Sequence, residues 1–87
     1  MEEAGFWEDS LDLHGLKRDA ALHELDLWLN RVFLQDIREV RVVCGWGQGI
    51  LLTVIDHALS EHPLVERHRL DGPAFIVEII PRSDDGY

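Results

Sequence analysis

The sequence has little of several features that would place it in a special class of protein. Its single cysteine, Cys44, excludes an intramolecular disulfide and is typical of a protein from a reducing compartment. No apolar run approaches the length of a membrane span, and the acidic start Met1-Glu2-Glu3 lacks the basic-then-apolar order of a signal peptide. These absences predict a cytoplasmic protein that does not act at a membrane.

The chain is also short of positive charge. Eight Lys and Arg residues stand against 17 Asp and Glu residues, which gives a formal net charge of -9. Because Lys and Arg neutralise phosphates and supply most non-specific affinity for nucleic acids, strong non-specific binding of DNA or RNA is not expected. Basic islands remain at Lys17-Arg18 and at Arg67 and Arg69, so local steering of a phosphate is still available.

What the chain does contain is enough apolar surface for one small domain. Its 87 residues are 46% hydrophobic and 29% charged, which is ordinary for a globular protein and too apolar for a disordered chain. The predicted organisation is an acidic amino-terminal arm over residues 1–9, one domain over residues 10–81 and a tail over residues 82–87. A chain of this length buries a modest core, so one sheet and two helices are expected.

Hydrophobic periodicity predicts six elements along the chain. It predicts four strands and two helices, in chain order over Ser10–His14 (strand), Lys17–Gln35 (helix), Glu39–Cys44 (strand), Gly49 to Pro63 (helix), Val65–Leu70 (strand) and Phe75–Ile80 (strand). Strands that are joined through helices run parallel in a sheet. The order β-α-β-α-β-β therefore predicts an α/β fold, a two-layer sandwich in which two helices cover a mixed four-stranded sheet.

The first candidate for chemistry is Leu11-Asp12-Leu13-His14-Gly15, at the end of the first strand. Side chains of a strand point alternately to its two faces, so Leu11 and Leu13 are expected in the core while Asp12 and His14 share the other face. Histidine transfers protons near neutral pH, and a neighbouring carboxylate can orient it or hold a divalent ion. Two interpretations stay open: a pair that cleaves a phosphodiester, or two side chains that only hydrogen-bond the amides of the following turn.

The second candidate is Gly45-Trp46-Gly47-Gln48-Gly49, between a strand and a helix. Glycines there let the backbone approach a phosphate, at which the amides of the helix amino terminus point. The alternative is a tight turn in which the glycines only supply unusual dihedral angles. The spacing differs from the Gly-x-Gly-x-x-Gly of dinucleotide-binding folds, so a dinucleotide is not expected.

Together the two motifs resemble the Smr (small MutS-related) family. Its members share a Leu-Asp-Leu-His-Gly-Leu opening, a Gly-x-Gly-x-Gly loop and a His-Pro-Leu-Val segment, which stand here at Leu11–Leu16, Gly45–Gly49 and His62–Val65. The resemblance covers residues 10–80. It implies a fold similar to the carboxy-terminal domain of bacterial translation initiation factor three. It also implies an endonuclease that nicks or cleaves structured DNA or RNA, as MutS-related proteins do in DNA repair and recombination.

The resemblance also assigns roles to particular residues. It makes Asp12 and His14 the catalytic pair. It assigns phosphate and nucleic-acid binding to Lys17, Arg18, Gly45, Trp46, Gly47 and Gly49. A Mg or Mn ion is a candidate cofactor of the reaction, although the sequence contains no recognised metal-ligand spacing.

The remaining histidines and the cysteine are expected to be structural. His62 belongs to a helix-ending His-Pro pattern and is predicted to pack or to cap. His23, His57 and His68 are predicted to lie on outer faces, away from any metal site. Cys44 ends an apolar strand and is predicted to be a small buried hydrophobe.

Three positions depart from the family's usual loop, His-Gly-Lys-Gly-Thr-Gly. Cys44, Trp46 and Gln48 stand in place of its histidine, lysine and threonine. The missing charge predicts weak affinity for nucleic acids. Trp46 either compensates by stacking on a base, which contributes about 1–3 kcal/mol per base, or packs on the domain's own surface, and the sequence supports the two alternatives equally.

These departures motivate a second hypothesis. In it the chain is a catalytically weak Smr-like binding module that recognises a protein or ribosomal partner. Leu27 and Leu34 lie seven residues apart, off the apolar stripe of the first helix, and are the candidate contact. The competing interpretation is that they are isolated exposed leucines, which are common on protein surfaces.

Overall fold

The computed structural model of the chain describes residues 9–46 and 49–82. Its elements are β1 Ser10–Asp12, α1 Arg18–Leu34, β2 Glu39–Val43, α2 Ile50–Glu61, β3 Val65–Asp71 and β4 Ala74–Ile79. The predicted order β-α-β-α-β-β is confirmed, and each bound lies within two residues of its prediction. The predicted arm before Asp9 and the predicted tail after Arg82 lie outside the described residues.

The four strands form one mixed sheet in the order β1-β2-β4-β3. β1 runs parallel to β2, whereas β4 is antiparallel to both β2 and β3. The mixed four-stranded sheet of the prediction is therefore confirmed. Because β1 and β2 are parallel neighbours, the loops that follow them emerge at the same edge of the sheet.

Both helices contribute to a single core on one face of the sheet. The buried residues of α1 are Ala21, Leu25, Leu29 and Val32, at the three- and four-residue steps of an amphipathic helix. They join Ile55 and Leu59 of α2 and the alternate strand residues Val40, Val42, Phe75, Val77 and Ile79. Full burial of one such leucine contributes about 1.5–3 kcal/mol. No helix among residues 9–46 and 49–82 combines the length and apolar content needed to cross a membrane.

The end of α1 uses an aspartate where many helices use glycine. Asp36 has a positive φ of 62°, and its N–H donates to the carbonyl of Phe33 while the N–H of Ile37 donates to that of Val32. This pair of bonds is the Schellman arrangement, which satisfies the last carbonyls of the helix. Aspartate tolerates the left-handed conformation better than most non-glycine residues, so α1 ends without a glycine signal.

A β-bulge in β3 changes which side chains face the helices. Val65 pairs with Ile79 and Arg67 with Glu78, which leaves Glu66 as the additional residue. Beyond the bulge, His68 pairs with the buried Val77 and lies on the covered face. The prediction that His68 lies on an outer face is therefore wrong, because simple alternation does not include the bulge.

Candidate functional site

The candidate site lies at the sheet edge formed by the carboxyl ends of β1 and β2. The Leu13 N–H donates to the carbonyl of Val43 at 2.7 Å, which keeps the start of the β1–α1 loop against β2. The β3–β4 turn reaches the same edge, since the Pro73 carbonyl accepts from the N–H groups of Cys44 and Gly45 at 2.8 and 3.0 Å. Both sequence motifs are thus brought to one edge and held there by backbone hydrogen bonds.

Asp12 and His14 form a hydrogen-bonded pair at this edge. The His14 Nδ1 and the Asp12 Oδ1 are 2.6 Å apart, and the same oxygen accepts from the His14 backbone N–H at 3.0 Å. The structure therefore combines both interpretations of the motif, because Asp12 satisfies a turn amide and also orients the ring. The two side chains are 57% and 69% exposed, so a substrate reaches them directly.

The pairing fixes the chemistry that each group can perform. The ring bond and then the backbone bond from His14 lower the pKa of the Asp12 carboxyl below its ordinary value of 3.8. An ionised carboxylate only accepts hydrogen bonds, so the network assigns a proton to Nδ1 of His14. In the tautomer that carries its proton on Nδ1, Nε2 has a lone pair, and it has no hydrogen-bond partner among residues 9–46 and 49–82.

Gly45 of the glycine loop lies next to the pair. Its φ is +85°, and a Cβ built on it would lie 3.0 Å from the Cβ of His14. Gly49 has the same φ of +85° and precedes α2 directly. The glycines thus supply unusual dihedral angles, and Gly45 also leaves the room that His14 occupies. Gly47 and Gln48 lie outside the described residues.

Trp46 stands at the rim of the site with its ring largely in solvent. It is 71% exposed. Its indole Cη2 lies 3.8 Å from the position of a Cβ built on Gly72, so one side of the ring is next to the β3–β4 turn. The two predicted alternatives for Trp46 are compatible, since this contact leaves most of the ring accessible to a base.

Lys17 and Arg18 lie beside a cleft between the two motif loops. The cleft has a volume of about 410 Å³ and is lined by the β1–α1 loop with the start of α1, by the glycine loop, and by the first turns of α2. Its lining residues are Gly15, Leu16, Lys17, Arg18, Cys44, Gly45, Gly49, Ile50, Leu51, Leu52 and Val54. The structure therefore brings the predicted basic island and the predicted glycine loop to the two sides of one cavity.

Comparison with known proteins gives the family. The family model of the Smr domain matches residues 11–75 of this chain, which include both motifs and most of the sheet. The chain belongs to the Smr domain family.

Proteins called endonuclease MutS2 contain the matching region. Over 63 residues this Smr domain is 40% identical to the endonuclease MutS2 of Clostridium botulinum strain Loch Maree, an alignment that covers 72% of this chain and 8% of that protein. It is 34% identical over 61 residues to the endonuclease MutS2 of Halothermothrix orenii, with 70% and 8% covered. The chain thus spans about 8% of the length of these curated relatives.

Two solved Smr domains share the fold. The crystal structure of the Smr domain of Thermus thermophilus MutS2 superposes with a TM-score of 0.81 at 26% identity, covering 84% of this chain and 99% of that one. The solution structure of the Smr domain of NEDD4-binding protein 2 gives a TM-score of 0.69 at 24% identity, with 90% and 92% covered. The second similarity supports the fold alone.

Cys44 of this Smr domain is among the residues that line the cleft, but its thiol is unsuited to the chemistry. Its side chain is buried, with 5% exposure. Burial and, to a lesser degree, the nearby charge of Asp12 raise the pKa of the Cys44 thiol to about 11. A thiol that stays protonated at neutral pH is a poor nucleophile, so Cys44 cannot replace a histidine in proton transfer.

The described residues of this Smr domain contain no preformed cluster of metal ligands. Within residues 9–46 and 49–82, no three His, Cys, Asp or Glu side chains come close enough to share one. At the candidate site only Asp12 and His14 are present, and Oδ1 of Asp12 already accepts two hydrogen bonds. The chemistry proposed below is derived for the side chains alone, and a Mg or Mn ion is a variable of its test.

Two other histidines connect elements of the fold. His62 bonds Asp26 of α1 through Nε2 at 2.9 Å and accepts from the Leu64 N–H through Nδ1 at 3.1 Å. His68 bonds Asp56 of α2 at 2.8 Å, and its ring lies edge-on to Phe75. Both side chains are largely buried, at 12% and 15% exposure. Each histidine therefore connects a helix to another part of the fold.

Sequence reasoning missed the two apolar residues at the mouth of the cleft. Leu16 and Ile50 are 38% and 67% exposed although both are large hydrophobic residues. Each directly adjoins a motif, and large apolar residues next to two glycine-containing loops were the signal available in the sequence.

Proposed function

We propose that this Smr domain is an endonuclease that nicks or cleaves structured DNA or RNA, with Asp12 and His14 performing the chemistry. The observation that carries the proposal is the 2.6 Å contact between the Asp12 Oδ1 and the His14 Nδ1. A carboxylate that orients a histidine through Nδ1 leaves Nε2 available for proton transfer. The names of the curated relatives, endonuclease MutS2, agree with this activity.

In the proposed reaction His14 acts as the general base. Its Nε2 takes the proton of the attacking hydroxyl, either a water molecule or the 2′-hydroxyl of RNA, while that oxygen bonds to phosphorus. The leaving oxygen departs with its electron pair and takes a proton from the histidine or from water. Asp12 stabilises the imidazolium that forms. Proton transfer by a positioned side chain contributes typically about 10²–10⁴-fold to rate.

Binding of the strand is assigned to the groups around the pair. Lys17 and Arg18 would contact phosphates, as would the backbone of Gly45, Gly47 and Gly49, and Trp46 would stack on an exposed base. Such contacts are few in a chain with a net charge of -9. The proposed enzyme therefore binds nucleic acid weakly and depends on structure in its substrate. We place this activity in the cytoplasm.

The test is a cleavage time course with four proteins purified in parallel. These are the unmodified chain, His14→Ala, Asp12→Asn and the control His57→Ala, whose side chain is 74% exposed and lies on α2. Supercoiled plasmid and structured RNA serve as substrates, with Mg or Mn ions and with EDTA. We expect both site variants to lose at least about 100-fold in rate, and the control to keep full activity.

Two results would contradict the proposal. Equal activity in all four proteins would indicate a contaminating nuclease or another site. Lack of cleavage by the unmodified chain under every condition would favour the binding module instead.

The binding module is the second candidate because of one surface feature. Leu27 and Leu34 are 51% and 64% exposed on α1, in positions that do not belong to the core. Retention of a protein or ribosomal partner by the unmodified chain, and its loss with Leu27→Glu, would support this candidate. Retention that is indifferent to the substitution would count against it.

A further inference from the structure

We propose that the cleft between the motif loops holds the base of an unpaired nucleotide next to the cleaved phosphate. This inference rests on the proposed nuclease function and specifies its substrate, a strand with a bulged or looped-out nucleotide. The cleft volume of about 410 Å³ lies within the roughly 300–1,000 Å³ of typical small-ligand pockets. The cleft therefore has room for a nucleobase.

The charge of the cleft favours an anionic ligand. Among the described residues that line it, Lys17 and Arg18 are the charged ones and neither Asp nor Glu occurs. This is a local exception in a chain with 17 acidic and eight basic residues. Two cations at the rim of an apolar cavity match a nucleotide, which joins a phosphate to a flat, largely apolar base.

The apolar walls favour the base over a second phosphate. Leu16 of the β1–α1 loop and Ile50 at the start of α2 both line the cleft, and both are more exposed than the core residues around them. Placing a flat ring against these aliphatic side chains removes apolar surface from water. A phosphate alone would leave these two walls uncovered.

The position of the cleft links it to the catalytic pair. Gly15 follows His14 in the chain, and Gly45 lies against its Cβ, yet both glycines line the cleft. His14 thus borders the cleft, and the proposal places the nucleoside that adjoins a phosphate at His14 inside it. Bases of a duplex are stacked and cannot enter a side cavity, so the nucleotide must be unpaired or flipped out.

The experiment measures binding by the His14→Ala chain, so that cleavage does not interfere. Three labelled hairpins share one stem: the first is fully paired, the second has a single-nucleotide bulge, and the third has an abasic bulge, each made as DNA and as RNA. We expect the base-containing bulge to bind about tenfold more tightly than the other two. Leu16→Ser combined with Ile50→Ser should remove this preference. The matched control Leu70→Ser, at a residue 57% exposed on the far strand β3, should keep it.

A second readout does not depend on the cleft variants. The bulged base is replaced by 2-aminopurine, whose fluorescence should change when the unmodified cleft receives it and should follow the binding curve. Unchanged fluorescence at saturation would overturn the proposal, as would equal affinity for the three hairpins. Formation of a dimer that the double variant abolishes would assign the cleft to a second copy and would also overturn it.

Cleavage of the same hairpins separates this inference from the proposed function. Cleavage by the unmodified chain without preference for the bulged base would overturn the base site and leave the nuclease intact. Absence of both cleavage and binding would overturn the nuclease, and the base site with it.

Discussion

At the scale of single residues, Oδ1 of Asp12 accepts two hydrogen bonds from one neighbour, from the backbone and from the ring of His14. Strand alternation predicted that the two side chains share a face. It could not predict the 2.6 Å contact, because the strand ends at Asp12 and His14 lies in the turn that follows. The geometry of that turn, and not the period of a strand, makes the pair.

The hydrogen-bonded pair predicts how the stability of the fold changes as the pH is lowered. The hydrogen bonds lower the pKa of Asp12 from 3.8 in the folded chain, so the folded state binds fewer protons there than the unfolded state. The pair therefore stabilises the fold above the ordinary pKa of aspartate, and this stabilisation is lost as the pH falls through the lowered pKa. A carboxyl carbon NMR titration should give a midpoint for Asp12 below 3.8. His14→Ala should raise this midpoint and His57→Ala should not; equal midpoints in the two variants would contradict the assigned cause.

A side chain added at Gly45 is expected to destabilise the fold in two ways, through the backbone dihedral angle and through contact with His14, and these two contributions can be measured separately. Gly45→Ala and Gly15→Ala both place a side chain at a positive φ, +85° and +80°, which costs about 1–2 kcal/mol. Only the Cβ at position 45 meets His14, at 3.0 Å, whereas that at position 15 meets no atom within 4 Å. Gly45→Ala should therefore lower the free energy of unfolding more in urea and should shift the His14 ring resonances. Equal losses with unchanged resonances would refute the contact.

At the scale of elements, the sequence predicted what depends on local periodicity. The stripe of α1, the β-branched β2 and the proline after α2 each predicted an element within two residues of its bounds. The bulge at Glu66 and the helix cap at Asp36 were not predictable from local periodicity. The bulge depends on how β3 pairs with β4, and the cap depends on an uncommon positive φ at Asp36. The bulge has the larger consequence, since it turns His68 toward Asp56 and the core.

The hydrogen bonds of His62 predict that this side chain stabilises the contact between α1 and the segment after α2. His62→Ala removes the bond to Asp26 and leaves the part-buried Leu64 N–H without its acceptor. The expected loss is about 1–2 kcal/mol in the free energy of unfolding. His57→Ala is the matched control, because that side chain is 74% exposed and lies 3.6 Å from Glu61; it should change stability by less than about 0.5 kcal/mol. A similar effect of both substitutions in urea denaturation would contradict the structural role of His62.

At the scale of the whole molecule, the net charge of -9 predicts weak affinity for nucleic acids, although both motifs of the candidate site lie at one edge of the sheet. The sequence predicted that both motifs take part in the function. The parallel pairing of β1 and β2 explains why the two motifs meet at one edge. The cleft between them was not predicted, since its walls come from residues 34 positions apart in the chain, Leu16 and Ile50.

The charge balance predicts that one substitution makes binding more dependent on salt. Trp46→Lys restores the family's usual lysine at an exposed position beside the site. It should steepen the dependence of log affinity on log salt by about one unit, because one more phosphate of a labelled hairpin is neutralised, while the base stacking proposed for Trp46 is lost. The matched control is Leu70→Lys, which changes the net charge by the same amount at a position on β3. If both variants respond alike, the effect reflects overall charge and not a contact at position 46.

The two outer strands of the sheet also differ from the strands between them. β1 has three residues, and β3 has the sequence Val-Glu-Arg-His-Arg-Leu-Asp with a bulge near its start. A short edge offers few free backbone groups, and a bulged edge rich in charge is a poor template for an incoming strand. The sheet therefore resists edge-to-edge association and amyloid-like growth at both margins, although its net charge alone would not protect it at high ionic strength.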